Sequence, residues 1–366
     1  MQKKIIALAI AAAISAPAFA DTSNVTVYGQ VNMSYDMMTP GTTALGVASQ
    51  KVNRIGSNTS RLGLKGSEDL GDGLAAIWQI EMQVDPGQGT APAANSANTL
   101  GGRNTFGGLK SEGFGTVVLG RHDTPYKIAT RALDVFGDGI ADNRMLVGGV
   151  AGKSATAAFD GRQDQVVAYI SPKLGDMATL AIAYVNLSPV AIATTAAKNS
   201  ATSLAGMFDI AGGFYGSLAY EEHSFGATAA TPAVVGVVGT TTVAAVAPVA
   251  AVAATGATKE KATKLGFGYK QDAFAANFVY EKSSDNSGAL GVNKYGHNAY
   301  YLSGKYNVTA SDAVKLAYTK MGIVGGVAST GAKDFTIGYD HSLSKRTTVY
   351  ALYSKLTNDV AANYGF

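Results

Sequence analysis

The chain contains no cysteine. Disulfides are therefore excluded, and a chain of 366 residues that leaves the cytoplasm must be held by another device, such as a continuous hydrogen-bond network. Long apolar runs are also missing. A membrane-crossing helix needs about 20 apolar residues. Beyond the N-terminus the best candidate is VAAVAPVAAVAA, residues 243–254, which is broken by Pro248. It lies within residues 224–258, a stretch without Asp, Glu, Lys or Arg, and reads as a low-complexity loop. Histidine is scarce: His122, His223, His297 and His341 are the four, and such isolated histidines are expected to be solvated. There is no H-E-x-x-H, no G-x-S-x-G elbow and no Walker loop. With no cysteine, a structural zinc site is not expected, and nothing calls for an organic cofactor. A Ser-His-acid set that meets only in space stays open. No basic cluster appears, and setting Lys3 and Lys4 aside takes the formal net charge from +3 to +1. Nucleic acid is not an expected partner.

What is present begins with a targeting pattern. Lys3 and Lys4 precede the apolar run IIALAIAAAI, and the A-x-A triplet Ala18-Phe19-Ala20 follows. A charged start, a short apolar stretch and small residues before a cut describe a secretory signal over residues 1–20. The mature chain then starts at Asp21. Its 44 Gly, 18 Tyr and single Trp accompany a mean hydropathy of +0.10, high for a soluble β protein.

Alternation with period 2 dominates the remainder. In AFAANFVYEK, Phe274, Ala276, Phe278 and Tyr280 fall on one face, and Ala275, Asn277, Val279 and Glu281 on the other. Strands are expected at 24–36, 59–67, 73–84, 103–110, 115–121, 162–170, 177–187, 202–211, 213–222, 261–270, 273–283, 297–306, 312–321, 332–341 and 346–356. Every second connection is tight (EDLGDG, SEGFG, PKLGD, AGG, QDA, VTAS, HSLSK) and the others are long. A soluble sandwich would show the same alternation, but strict short-long connections describe hairpins of an outer-membrane barrel. Closure also removes the edge strands of so long a meander. The expected fold is all-β, a transmembrane antiparallel β-barrel with an apolar face to lipid and a polar face to the lumen. Tyr35, Tyr169, Tyr220, Tyr269, Tyr280, Tyr306 and Tyr339 fall near strand ends, where they form interfacial girdles or ordinary cross-strand pairs.

Several segments resemble the trimeric general porins of Gram-negative outer membranes, in particular the proteobacterial Gram-negative porin group. VTVYGQVNMSYD is similar to the first strand of that family, SRLGLKGSEDLGDGLAAIWQIE to the second and third, and RNTFGGLKSEGFGTVVLGRHDTPY to the fourth, fifth and the lead into loop 3. RQDQVVAYISPKLG resembles the sixth strand, and LSKRTTVYALYSK the penultimate one. The resemblance implies a sixteen-stranded barrel over residues 21–366, a homotrimer in the outer membrane, and contacts with outer-membrane lipid and lipopolysaccharide. It also implies assembly by the barrel-assembly machinery and passive passage of ions and small polar solutes.

The resemblance further implies an eyelet where loop 3, about residues 122–161, folds into the lumen. Arg61, Arg103 and Arg162 match the basic wall, and Lys65 shares the face of Arg61. Asp134 and Asp138 match the acidic side on the loop, while Asp142 reads as a solvated loop acid. Strand parity is expected to turn all three arginines to the lumen: Arg61, Gly63 and Lys65 oppose Leu62 and Leu64, Arg103 and Thr105 oppose Phe106, and Arg162 shares a face with Asp164. With a net charge near +1, the sign of ion preference stays open.

One departure concerns the end of the chain. Fifteen strands are legible where the family has an even number, and TNDVAANYGF is short for both a loop and a final strand. Either the chain is truncated within loop 8 or a short strand closes the barrel. Two other functional classes remain: a barrel hydrolase, and a surface adhesin or receptor using the low-complexity outer loop at about 223–260.

Overall fold

A computed structural model describes residues 24–39, 51–87, 100–148, 159–188, 198–227, 257–285, 296–362 and 364–365. The signal segment and most of the low-complexity loop lie outside these residues. The strands are β1 (Asn24–Gln30), β2 (Met33–Met38), β3 (Val52–Ser57), β4 (Arg61–Gly71), β5 (Leu74–Gln83), β6 (Thr105–Ser111), β7 (Gly115–Asp123), β8 (Arg162–Ile170) and β9 (Ala178–Asn186). They continue with β10 (Ser200–Ile210), β11 (Phe214–Phe225), β12 (Thr258–Lys270), β13 (Phe274–Asp285), β14 (Asn298–Asn307), β15 (Asp312–Met321), β16 (Ala332–Ser342) and β17 (Thr348–Asn358). A short helix, α1 (Pro125–Arg131), follows β7. Among the described residues no helix is long and apolar enough to cross a membrane.

β1 and β4–β17 form a single antiparallel meander of fifteen strands, each paired with its neighbour in sequence. β2 and β3 pair with each other and extend β1 and β4 beyond a break. That break is sealed locally: Asn58 N donates to Asn32 O at 2.8 Å, and Asn32 N donates to Ser60 Oγ at 2.9 Å. The fifteen expected strands are found, with tight turns and long loops alternating, but the one expected at 24–36 is broken at residues 31–32 into β1 and β2, and β3 lies in a stretch that reads as loop from sequence. The two ends of the meander meet through Tyr350 on β17. Its hydroxyl donates to Asn32 Oδ1 at 2.9 Å and accepts from Asn58 Nδ2 at 3.0 Å.

Alternation sorts each strand into two environments. On β9, Leu180, Ile182 and Tyr184 are 47%, 47% and 54% exposed, whereas Ala181, Ala183 and Val185 are at most 5% exposed. The exposed set is the band a barrel presents to lipid. The inward face is lined by small residues on one side of the barrel, because the chain between β7 and β8 lies against it. Tyr126, Ala129 and Phe159 pack on Ala205, Ala219 and Ala262. Leu133 and Phe136 pack on Val279, Ala299, Tyr301 and Ala317. Glycine is required where this segment comes closest: a Cβ on Gly266 or Gly268 would stand 2.7 or 2.6 Å from Leu133, and one on Gly338 2.6 Å from Phe136. Fully burying a Leu or Phe side chain contributes about 1.5–3 kcal/mol, so this apolar seam is a main source of docking energy.

Candidate functional site

Loop 3 is built from its own sequence before it meets the wall. Pro125 fixes the first turn of α1, where its missing N–H is no loss. The chain then turns back on itself. Asp134 makes an Asx turn, accepting from Phe136 N at 2.9 Å, and Asp138 sits at φ 63°, a left-handed conformation that Asp tolerates better than most residues. Asp142 caps a 3₁₀ turn (Asn143–Met145) by accepting from Arg144 N at 3.0 Å.

Polar bonds from the barrel then fix the loop's height. Tyr126 N donates to Ser203 Oγ at 2.9 Å, and Tyr126 Oη donates to Glu281 Oε2 at 2.7 Å. Gly148 N donates to Glu281 Oε1 at 2.8 Å. Lys264 Nζ lies 2.5 Å from Asp160 Oδ1, 3.6 Å from Glu281 Oε2 and 4.2 Å from the Tyr126 ring centroid. Tyr215 Oη donates to Ala129 O at 2.6 Å and Ser303 Oγ to Leu133 O at 3.2 Å. Sequence reading misses this anchor, since its members are far apart in the chain. A lysine and three glutamates (Lys264, Glu221, Glu260 and Glu281) on the inward parity of β11–β13 are the available signal.

The loop's free edge faces β1 and β4–β8. Arg61 Nη1 lies 3.1 Å from Asp138 Oδ2, an ion pair from wall to loop, and Asn32 Nδ2 donates to Asp138 O at 3.2 Å. Asp138 also binds Arg131 at 2.5 Å. Burial pushes its carboxyl up, but Arg131 and Arg61 more than offset this and hold it below the usual carboxylate range. Arg103 is 8% exposed and its Nε donates to Glu81 Oε1 at 2.6 Å; Glu81 also accepts from Tyr28 Oη at 2.9 Å. Arg162 Nε lies 3.1 Å from Asp123 Oδ1 and 2.6 Å from Asn104 Oδ1. Lys127 on α1 reaches the same Asp123 at 2.8 Å. Burial lowers the Lys127 ammonium to about 8 despite that partner. Lys65 is exposed, with Nζ 5.5 Å from the Tyr28 ring. The strip therefore holds Glu81, Asp123, Lys127 and Arg131 alongside the residues expected from sequence.

Four expectations need correction. Parity does not place Arg103: it precedes β6 in a bend over residues 101–104, and its backbone N donates to Glu81 O at 3.0 Å. Phe106 pairs across from Gln79 on the inward face and packs edge-on to His122 at 5.0 Å, so it is not a lipid-facing counterpart of Arg103. Arg162 and Asp164 meet different partners, Asp123 for the one and Arg121 for the other, and a bulge separates both from the regular alternation of β8. The β7–β8 register shifts between Gly120 and His122, Gln165 takes φ 52°, and Asp164 is 65% exposed against Arg121. Asp134 is not on the open edge. Its carboxylate is 1% exposed, accepts from Tyr301 Oη at 2.7 Å and Asn143 N at 2.9 Å, and is pushed up to about 6, chiefly by burial and then by Asp142.

Asp142 and two histidines differ from expectation as well. Asp142 is the hub of the loop, 13% exposed and bound by Arg131 at 2.8 Å and Arg144 at 3.0 Å. His223 is fully buried, 2.9 Å from Glu221 and stacked 4.6 Å from Phe159. His297 is 5% exposed and lies 3.2 Å from Glu281. They are roofed by loop 3 and its neighbours, which no local pattern announces.

The sequence profile described as Gram-negative porin matches residues 7–361. Major outer membrane protein P.IA of Neisseria meningitidis is 34% identical over 153 residues, covering 37% of this chain and 36% of that protein. An outer membrane porin protein of Bordetella pertussis is 33% identical over 186 residues, 47% of this chain and 45% of that protein. The chain thus aligns with less than half the length of these relatives. Among solved structures, the anion-selective porin from Comamonas acidovorans superposes with a TM-score of 0.69 at 24% identity, covering 92% of this chain and 90% of that one. Salmonella typhi OmpF superposes with a TM-score of 0.62 at 14% identity, covering 93% and 92%. The chain belongs to the Gram-negative porin family and is an outer-membrane β-barrel.

Proposed function

We propose that the protein is a passive diffusion channel for ions and small hydrophilic solutes, narrowed by loop 3 to a charged eyelet. The carrying observation is the Arg61–Asp138 ion pair at 3.1 Å, which brings the loop to the opposite wall and leaves the guanidinium-rich strip beside it. Facing charges set up a transverse field in which a polar solute can align, while an apolar solute sheds water without compensation. With the buried Arg103, Lys127, Glu81 and Asp134 set aside, Arg61, Lys65, Arg131, Arg144 and Arg162 still outnumber Asp123, Asp138 and Asp142 along this strip. That excess supports a modest anion preference, and the Comamonas protein of like fold is described as anion-selective. A homotrimer in outer-membrane lipid is the matching assembly; OmpT of Vibrio cholerae, of like fold, is described in a trimer form.

Purified protein added to planar bilayers should give stepwise ion currents in multiples of three. Absence of any step would overturn the channel reading.

A further inference from the structure

One bend of the wall meets both Arg103 and Arg162. Residues 101–104 form this bend, which leads into β6. Arg103 turns to one side of it, with Nε 2.6 Å from Glu81 Oε1. Asn104 turns to the other, where its Oδ1 accepts from Arg162 Nε at 2.6 Å. The bend is itself held from the barrel: Arg121 Nε donates to Gly102 O at 3.0 Å, and Gln79 Nε2 donates to Asn104 O at 3.1 Å. The backbone therefore presents the Asn104 side chain at a fixed place on the wall.

The carboxamide meets each partner with matching polarity. Its Oδ1 accepts from Asp123 N at 3.1 Å as well as from Arg162, and its Nδ2 donates to Asp123 Oδ2 at 3.2 Å. Two donors against the oxygen and a carboxylate against the nitrogen fix the orientation of the amide, since the flipped group would set donor against donor and acceptor against carboxylate. A neutral side chain of this reach, with both an acceptor and a donor, satisfies all three bonds. Asp123 is crowded by cations: Lys127 Nζ lies 2.8 Å from its Oδ1, and Arg162 Nε lies 3.1 Å from the same oxygen. Arg162 does not close on it fully. Its Nη2 stays 3.4 Å from Asp123 Oδ2, longer than the roughly 2.7–2.9 Å of a close charge-assisted bond. Arg162 Nη1 makes no hydrogen bond or ion pair among the described residues.

We propose that Asn104 is a positioning residue that sets the ion selectivity of the eyelet by holding Arg162 off Asp123. The inference rests on the channel reading. With Asn104 in place, Nε is taken by the amide oxygen and Nη1 stays directed at permeant anions. Without it, the guanidinium closes on Asp123 as a two-pronged pair, the geometry its planar fork favours, and its field is cancelled where anions pass. Asn104 acts through Arg162 and touches no solute. Its partners stand 19 and 58 residues away in the chain, so no local pattern marks it out.

Reversal potentials in planar bilayers under a potassium chloride gradient test the assignment. Asn104→Leu removes acceptor and donor at similar volume. It should lower the chloride-to-potassium permeability ratio by about twofold, part of the roughly fivefold that one cation at contact supplies. The backgrounds separate positioning from a merely structural role. Combined with Arg162→Gln, Asn104→Leu should change the ratio no further; combined with Arg103→Gln, its effect should persist in full, as coupled and independent sites require. Asn104→Ala, which adds no bulk, serves in the same backgrounds where leucine is not accommodated. Conducting steps certify that each variant has folded. A ratio in Asn104→Leu and Asn104→Ala equal to the wild type, or a loss just as large in the Arg162→Gln background, would overturn the proposal. A wild type that conducts while the ratio stays unmoved in the variants sinks the Asn104 assignment alone, whereas a wild type that does not conduct sinks the channel reading.

Discussion

Two stretches of the inner wall do opposite jobs. The wall of β10–β15 offers alanines and glycines to loop 3 and buries its charges, Lys264 at 1% side-chain exposure and Glu281 at 0%. The wall of β4–β8 offers long cations at the lumen, with Arg61 23% exposed in its side chain. The first holds the loop and the second faces its free edge. Asp134 and Asp138, four residues apart, show the same division on the loop itself: one is sealed against Tyr301 and the other reaches Arg61. Charge of one type thus serves anchoring where it is dry and, in the proposed channel, selectivity where it is wet.

The largest effects should come from breaking the anchor. Lys264→Ala leaves Asp160 and Glu281 buried without their cation, a defect of about 3–5 kcal/mol. Loop 3 should come away, and single-channel recordings should show larger and noisier openings; wild-type currents would refute the anchor. Leu133→Ala empties the space against Gly266 and Gly268 and removes about 2–5 kcal/mol, with the same signature in milder form. Noise unchanged from wild type would show that the apolar seam does not hold the loop.

The aspartates sharpen the comparison at a smaller scale. Asp138→Asn should raise anion permeability, and Asp134→Asn should leave selectivity unchanged. Asp134 has a folded pKa near 6, above the ordinary carboxyl value, so its favourable contribution is complete below that ordinary value and is lost as pH rises through about 6. Open-channel noise should therefore fall on acidification from pH 7 to 5, and Asp134→Asn should abolish this dependence. The smallest effect belongs to Lys127. Its ammonium, near 8, is charged below that pH and neutral above it, so anion preference should drop between pH 7 and 9. Lys127→Gln should remove that step in reversal-potential measurements.

The strands are legible because period 2 is a local property, and fifteen of them follow from side-chain alternation and turn chemistry. Arg61 heads β4, which runs unbroken through Leu62 and Leu64, and so its side of the sheet can be read from local alternation. Arg103 and Arg162 reach their partners through a bend and a bulge, which change parity without leaving a clear mark in the sequence. Local pattern makes Asp134, Asp142, His223 and His297 look solvated or pore-facing. Their burial depends on a loop docking against strands more than 60 residues away, as the Tyr126–Ser203 bond separated by 77 residues illustrates. Periodicity reports which side of a strand faces inward, and not what covers that side.

The most direct test of the account is the reversal potential of the combined Arg61→Gln, Arg103→Gln and Arg162→Gln variant under a salt gradient in planar bilayers. Each cation attracts an anion at contact by about 1 kcal/mol in water, about fivefold in local concentration. The account predicts an anion-side reversal potential for the wild type and a clear shift toward cations in the variant. A reversal potential that does not move would contradict the eyelet.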